Sequence, residues 1–148
     1  MSAIESVYKL VKEWKPDALP TELKYRDSLA AMLREQLKGE KIETEYRHGG
    51  TTADIYVKTS GFFGPSEVFL ELKRDLKHKA QLDRLVGQIQ GLQPKKNAII
   101  VVLCGETNPA LVTRFKEVFA GELPDELLTL IAGPARMGLV RGSAQTGA

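Results

Sequence analysis

An unbroken run of apolar residues, Ala98 to Cys104, is the feature that most restricts what this 148-residue chain can fold into. Because no polar position alternates with the apolar ones, a strand formed here must be covered on both of its faces. The run is also far shorter than the roughly 20 residues that a membrane-spanning helix needs. It therefore predicts the central strand of a sheet that carries helices on both sides, which is an α/β fold.

The other periodic segments supply the helices and strands around this central strand. A stripe of apolar residues at helical spacing, from Ile4 to Trp14, predicts an N-terminal helix that contributes to the core or to a dimer contact. In the first strand after the helices, alternation places Ile42 and Tyr46 on one face. The remaining elements are helices predicted over residues 21–38, 78–92 and 108–121 and strands predicted over residues 41–48, 53–57, 67–73 and 127–132.

Length and composition fit one compact domain. The chain has 43% hydrophobic and 27% charged residues, which is typical of a soluble globular protein. We expect a single domain over residues 1–135, followed by a flexible tail over residues 136–148 that is rich in Gly, Ser and Ala. Within the domain, residues 1–20 are predicted to form the N-terminal helix and a linker, and residues 21–105 the core.

Charge and cysteine content exclude several classes of protein. A formal net charge of +2 argues against a strongly basic protein that coats nucleic acid without discrimination. The single cysteine, Cys104, excludes an internal disulfide and a cysteine zinc site, and its place in the apolar run predicts a buried thiol. Glu5 and Lys9 stand where a signal peptide would be apolar, so we expect a cytoplasmic protein.

Asp54 and the triplet Glu71-Leu72-Lys73 carry the chemistry that the sequence predicts. Alternate side chains of a strand share a face, so Glu71 and Lys73 lie side by side, and an antiparallel hairpin can bring Asp54 next to Glu71. Two carboxylates suit a hard cation such as Mg²⁺. A neighbouring lysine can orient the attacking water and offset negative charge in the transition state. The alternative interpretation is a solvated cross-strand charge pair.

The chain resembles the PD-(D/E)XK nuclease superfamily in two respects. It has Asp54 followed by Glu71-Leu72-Lys73, and its elements over roughly residues 20 to 105 follow the order helix, three strands, helix and strand. Ala53 stands where the family motif has a proline, a departure shared by many members. The resemblance implies a restriction-endonuclease-like core with a mixed central sheet in αβββαβ order, here with an extra N-terminal helix. It also implies that Asp54 and Glu71 bind Mg²⁺ or Mn²⁺ and that Lys73 serves the attacking water and the transition state.

The resemblance extends the implied site to a third acid and two glutamines. The family often places a glutamate in the first core helix as an additional metal ligand or metal-water contact, and Glu22 is the matching position. Glu22 lies on the helical stripe of Leu29 and Leu33, so it faces inward. The alternative is an acid stabilised by the positive end of the helix dipole. Family members also carry a glutamine on the next helix, which implies that Gln88 or Gln81 holds a water or phosphate.

A basic segment directly after the catalytic triplet predicts contacts with phosphates, with an affinity that falls as salt rises. Its alternative is a solvated helix face on which Asp75 and Asp83 are counter-charges. His48 precedes a Gly-Gly loop and could contact substrate or carry a proton, or could be an ordinary exposed loop residue. The candidate substrate-binding residues are His48, Arg74, Lys77, Gln81, Arg84 and Gln88.

Together these features are interpreted as a metal-dependent endonuclease that hydrolyses phosphodiester bonds, with DNA as the expected substrate. The core occupies nearly the whole chain, so specificity must come from nucleic-acid shape, a homodimer or a partner protein, and no membrane contact is expected. The alternative is a catalytically inactive PD-(D/E)XK-like module that binds nucleic acid or a protein partner.

Overall fold

The computed structural model describes residues 3–61 and 64–120, together with the backbone of two short strands beyond residue 120. Within the described residues, no helix is long and apolar enough to cross a membrane. In chain order the elements are α1 (Ala3–Glu13), α2 (Glu22–Gln36), β1 (Lys41–His48), β2 (Thr51–Gly61), β3 (Gly64–Arg74), α3 (Lys79–Gly91), β4 (Ala98–Cys104), α4 (Pro109–Phe119), β5 (Leu128–Ala132) and β6 (Leu139–Arg141).

The strands form one mixed sheet in the order β1-β2-β3-β4-β5-β6. The first three strands pair antiparallel, β3, β4 and β5 pair parallel, and β6 pairs antiparallel with β5. Parallel neighbours need a crossover connection. The helix α3 connects β3 to β4, and α4 connects β4 to β5. The prediction of a mixed sheet flanked by helices is therefore confirmed.

Helices cover both faces of the sheet because the central strands are apolar on both sides. On β3, Val68, Leu70 and Leu72 pack with α1 and α2, whereas Phe69 packs with α3 and α4. Residues of β4 alternate between the same two layers, and those from Ile99 to Cys104 are all buried. This confirms the central strand, and burial raises the pKa of the Cys104 thiol to about 12, as for a structural cysteine.

Glu45 interrupts the alternation of β1. Ile42 packs with the α1–α2 layer, whereas Tyr46 packs with the α3–α4 layer, so the prediction that they share a face was wrong. The cause is the left-handed backbone of Glu45, whose φ is 52°, because one residue in this conformation breaks the regular alternation of the side chains that follow it. The β1–β2 ladder also skips the pair formed by Glu45 and Asp54.

The C-terminal part of the chain differs from the prediction in one respect. The strand β6 lies within the segment expected to be a flexible tail, and it was not predicted. The end of the last predicted helix, at Gly121, and the rest of the expected tail, residues 136–138 and 142–148, lie outside the described residues.

Candidate functional site

Asp54 and Glu71 meet where β2 and β3 separate. The backbone ladder between these strands ends at the pair Ile55 and Leu70. Beyond it, the Asp54 N–H donates to Glu71 Oε1 at 3.2 Å, and the Leu72 N–H donates to Asp54 Oδ2 at 2.7 Å. Each carboxylate therefore satisfies a backbone N–H of the other strand, and the two predicted acids lie together at this fork.

The fork concentrates negative charge in a mostly buried position. Glu71 is only 7% exposed, and burial together with the charge of Asp54 raises the pKa of Glu71 to about 9. Burial also raises the pKa of Asp54 to about 6, against the hydrogen bond from Leu72 that lowers it, and the nearby charge of Glu22 adds to the increase. The site therefore favours a positive partner for its ionised carboxylates.

Two cations on different elements act electrostatically on the carboxylates. Lys73, on β3, lowers the pKa of both Asp54 and Glu71 against the larger effect of burial, and Arg26, on α2, opposes burial at Asp54. Lys73 is half-buried, and within the described part of the chain it makes no hydrogen bond or ion pair. Its ammonium is thus available to a water or phosphate beside the acids.

Glu22 is the first residue of α2, directly after the cap formed by Thr21. Its Oε1 accepts a hydrogen bond from the Arg74 N–H at 3.0 Å, one residue beyond Lys73. Its charge acts on Asp54 and Glu71, yet among residues 3–61 and 64–120 no three His, Cys, Asp or Glu side chains form a group that could hold a metal ion. Glu22 therefore borders the pair of acids without completing a three-ligand set.

The predicted glutamines and Arg74 contact the protein itself. Gln88 Nε2 donates to the Thr52 carbonyl at 2.7 Å and so ties α3 to the strand that carries Asp54. Gln81 Oε1 accepts from the backbone of Lys77 and closes the start of α3. Arg74 donates through Nε to the Leu19 carbonyl and pairs with Asp75. All three support the elements around the fork.

The other predicted phosphate contacts lie on the surface or at the C-terminal end of β1. Lys77 is exposed and pairs with Glu106 at 2.7 Å, and Arg84 is exposed on α3. Lys79 pairs with Asp83, so part of the basic segment is balanced by acids, as its alternative interpretation expects. The His48 ring lies against Phe69 and within 3.3 Å of the Asn97 amide nitrogen.

Arg26 and Glu45 form an ion pair next to Asp54 that the sequence patterns did not predict. Arg26 lies one helical turn after Glu22, so the spacing of four residues was a usable signal. Glu45 is recognisable only from its left-handed backbone and from the ion pair between its Oε2 and Arg26 Nη1, at 2.5 Å. No pattern of residue types indicates either property.

Comparison of the chain with protein-family models gives no match, and comparison with curated proteins gives none either. Among solved structures, the chain is similar to Pyrococcus furiosus SfsA in complex with Ca²⁺, at 12% sequence identity and a TM-score of 0.45. The superposition covers 80% of this chain and 62% of the SfsA chain, so this chain spans less than two thirds of that protein. A likeness this distant carries no argument about function.

Proposed function

We propose that the chain is a divalent-metal-dependent endonuclease that hydrolyses phosphodiester bonds in DNA. The observation that carries the proposal is the fork of β2 and β3, where Asp54 and Glu71 each cap the backbone of the other strand. Lys73 follows Glu71 by two residues on β3, and its charge acts on both acids. Two carboxylates and an unpaired ammonium at one end of a sheet form a set that can position a metal, a water and a phosphate.

The donor set fits a hard cation such as Mg²⁺ or Mn²⁺. Asp54 and Glu71 each use one oxygen for a backbone N–H, and the second oxygen of each makes no hydrogen bond to a described residue. Mg²⁺ is usually held by one or two carboxylates, with water and substrate phosphate completing its octahedron. Two acids are therefore sufficient, and we assign Glu22 to a contact with metal-bound water.

The bound metal would act as a Lewis acid and would lower the pKa of a coordinated water. In this proposal Lys73 orients the attacking water and offsets the charge that builds on the phosphate oxygens. The hydrogen bonds from the Asp54 and Leu72 N–H groups orient the Glu71 and Asp54 carboxylates at the fork, which limits the loss of orientation during the reaction. Because the two carboxylates are mostly buried, bulk water screens these charges only weakly.

The substrate in this proposal is recognised by its shape or through a second protein. Lys73 on β3 and Arg84 on the exposed surface of α3 form no ion pair within the described part of the chain, whereas Arg74, Lys77 and Lys79 are each paired with an acid. Such a surface gives modest, salt-dependent affinity for phosphates. A homodimer or a partner protein would therefore supply the remaining affinity and the choice of cutting position.

The test is a cleavage assay with linear, circular, single-stranded and branched DNA and with RNA, each in Mg²⁺, Mn²⁺ or chelator. We expect metal-dependent cutting of DNA that falls by at least about 100-fold in the Asp54→Asn and Lys73→Ala proteins, since each removes a group needed in the transition state. Circular dichroism would verify that the variants are folded.

Matched controls separate the site from general charge effects. Asp83→Asn is the control for Asp54→Asn, because it removes one negative charge from an exposed acid on α3. Lys58→Ala is the control for Lys73→Ala, because it removes one positive charge from an exposed lysine on β2. Both should cut DNA at the wild-type rate. Salt-sensitive DNA binding without any cutting by the wild-type protein would instead identify an inactive nucleic-acid-binding module.

A further inference from the structure

Arg26 is a half-buried residue whose guanidinium joins α2 to β1 beside the fork. Its side chain is 13% exposed. Nε and Nη2 donate to Asp27 Oδ1 at 3.1 and 2.9 Å, and Nη1 donates to Glu45 Oε2 at 2.5 Å. Because Asp27 accepts from one edge of the guanidinium and Glu45 on β1 accepts from the other, the orientation of the guanidinium is fixed.

Glu45, in contrast, is an exposed partner. Its side chain is 65% exposed, so water can solvate the carboxylate as soon as it leaves Arg26. Exposed ion pairs contribute little free energy because solvent replaces the partner. The contact between Arg26 and Glu45 is therefore one that another anion can take over without leaving a buried charge behind.

The position of this ion pair relates it to the candidate site. Glu45 stands opposite Asp54 at the point where the β1–β2 ladder skips one pair. Burial raises the pKa of Asp54, and the charge of Arg26 opposes that increase, so the guanidinium is within electrostatic range of the acid. An anion that displaced Glu45 from Arg26 would thus lie next to the fork of β2 and β3.

We propose that Arg26 binds a phosphate of the nucleic-acid backbone next to the cleaved bond, and that Glu45 is an internal counter-ion that occupies Arg26 in the free protein. This inference rests on the proposed nuclease function, because it identifies a phosphate-binding position of the same site. Guanidinium groups pair with phosphate through parallel N–H donors. Binding is an exchange of one anion for another: the Glu45 carboxylate moves into solvent as the phosphate oxygens take its place.

The left-handed backbone of Glu45 is consistent with this role. A φ of 52° is uncommon for a residue other than glycine, asparagine or aspartate. Such conformations persist where surrounding contacts maintain them, and they are frequent at ligand-binding positions. Glu45 combines this conformation with the ion pair to Arg26.

The experiment measures binding of a fluorescently labelled DNA duplex and single strand by anisotropy, with Ca²⁺ in place of Mg²⁺ and gel analysis to verify that the DNA stays intact. The variants are Glu45→Gln, Arg26→Gln and the double variant. The matched control is Glu43→Gln, which removes the same charge from β1 two residues away, where Glu43 pairs with Lys41 at 3.0 Å.

We expect Glu45→Gln to bind DNA about three- to tenfold more tightly than wild type, and Glu43→Gln to remain within about twofold. Arg26→Gln should bind about tenfold more weakly and lose roughly one unit of the slope of log K against log salt. In the Arg26→Gln background, Glu45→Gln should have no further effect. Where Arg26→Gln does not fold, Arg26→Lys replaces it and should bind with intermediate affinity, because lysine keeps the charge without the planar fork.

Equal effects of Glu45→Gln and Glu43→Gln would overturn the inference, as would a gain from Glu45→Gln that persists without Arg26. These outcomes leave the nuclease proposal intact if the wild-type protein cuts DNA. A wild-type protein that neither binds nor cuts nucleic acid would overturn the nuclease proposal and this inference together.

Discussion

Two carboxylates share the mostly buried fork of β2 and β3, and their ionisation opposes folding. The pKa of Glu71 is raised from 4.5 to about 9 and that of Asp54 from 3.8 to about 6, both chiefly by burial. An acid with a raised pKa in the folded state binds its proton more tightly there than in the unfolded state. Stability is therefore fully present below the unfolded pKa and is lost as the pH rises towards the folded pKa.

Ionisation of the two acids should make the stability of the protein depend on pH. In chelator, the free energy of unfolding of the wild-type protein should fall between pH 5 and pH 8. Glu71→Gln cannot ionise and keeps an oxygen for the Asp54 N–H, so its stability should fall less. At pH 8 it should exceed the wild type by about 1–3 kcal/mol, measured by urea unfolding at both pH values.

Glu43→Gln is the control for this prediction, since Glu43 is a half-exposed acid on β1, the strand next to β2. It should retain the wild-type dependence on pH. If Glu71→Gln also retained that dependence, the raised pKa of the acid at the fork would be contradicted.

Sequence patterns could predict Asp54, Glu71 and Lys73 because alternation along one strand and the pairing of two strands bring them together. Arg26 was within reach of the same reasoning, since it follows Glu22 at helical spacing. Glu45 was not, because its left-handed backbone depends on contacts between α2 and β1 rather than on local residue preferences. The hydrogen bonds of Gln81 and Gln88 to backbone groups likewise depend on how α3 packs.

At the scale of elements, α3 packs closely against the β1–β2 hairpin through a glycine. A Cβ at Gly91 would lie 2.1 Å from Thr51 Oγ1 and 3.1 Å from Thr51 Cβ. We expect Gly91→Ala to destabilise the protein by about 1–3 kcal/mol, because Thr51 or the helix must shift. Thermal or urea unfolding would measure the change.

Gly87 provides the matched substitution on the same helix, because a Cβ there meets no atom within 4 Å. Gly87→Ala should stabilise the protein by about 0.5–1 kcal/mol, since alanine favours the helix. A loss of stability at both glycines would point to a general intolerance of α3, and equal gains would contradict the close approach at Thr51.

The predicted elements agree with the structure where hydrophobic periodicity decides them. The helix predicted over 78–92 is Lys79–Gly91, and the strand predicted over 41–48 has the same bounds. The hairpin strands are longer than predicted, Thr51–Gly61 and Gly64–Arg74, because their outer ends are exposed and polar and lack an apolar alternation. Backbone hydrogen bonds to the neighbouring strand extend them.

At the scale of the whole molecule, α1 is part of the core. Ile4, Val7 and Val11 are buried against the α1–α2 face of the sheet, which supports the first of the two sequence interpretations of this stripe. Val7→Ala removes two methyl groups from a fully buried position and should cost about 2 kcal/mol. The urea midpoint should fall while the exposed-surface substitution Lys9→Ala leaves it unchanged. An unchanged midpoint for Val7→Ala would contradict this packing.

The α/β class followed from one apolar strand, because a strand covered on both faces requires helices on both faces. The strand β6 was beyond such reasoning, since three residues are too few for a periodic pattern. Its pairing with β5 depends on the sheet that the rest of the chain has already formed.

The two acids are anchored to different extents. Glu71 and Lys73 keep ladder partners on β4, Val101 and Leu103, after β2 has separated from β3. Asp54 has no ladder partner on either side. In the proposed nuclease, a small displacement of the strand that carries Asp54 would accommodate metal ions of different radius, while the parallel strands in the interior keep their register.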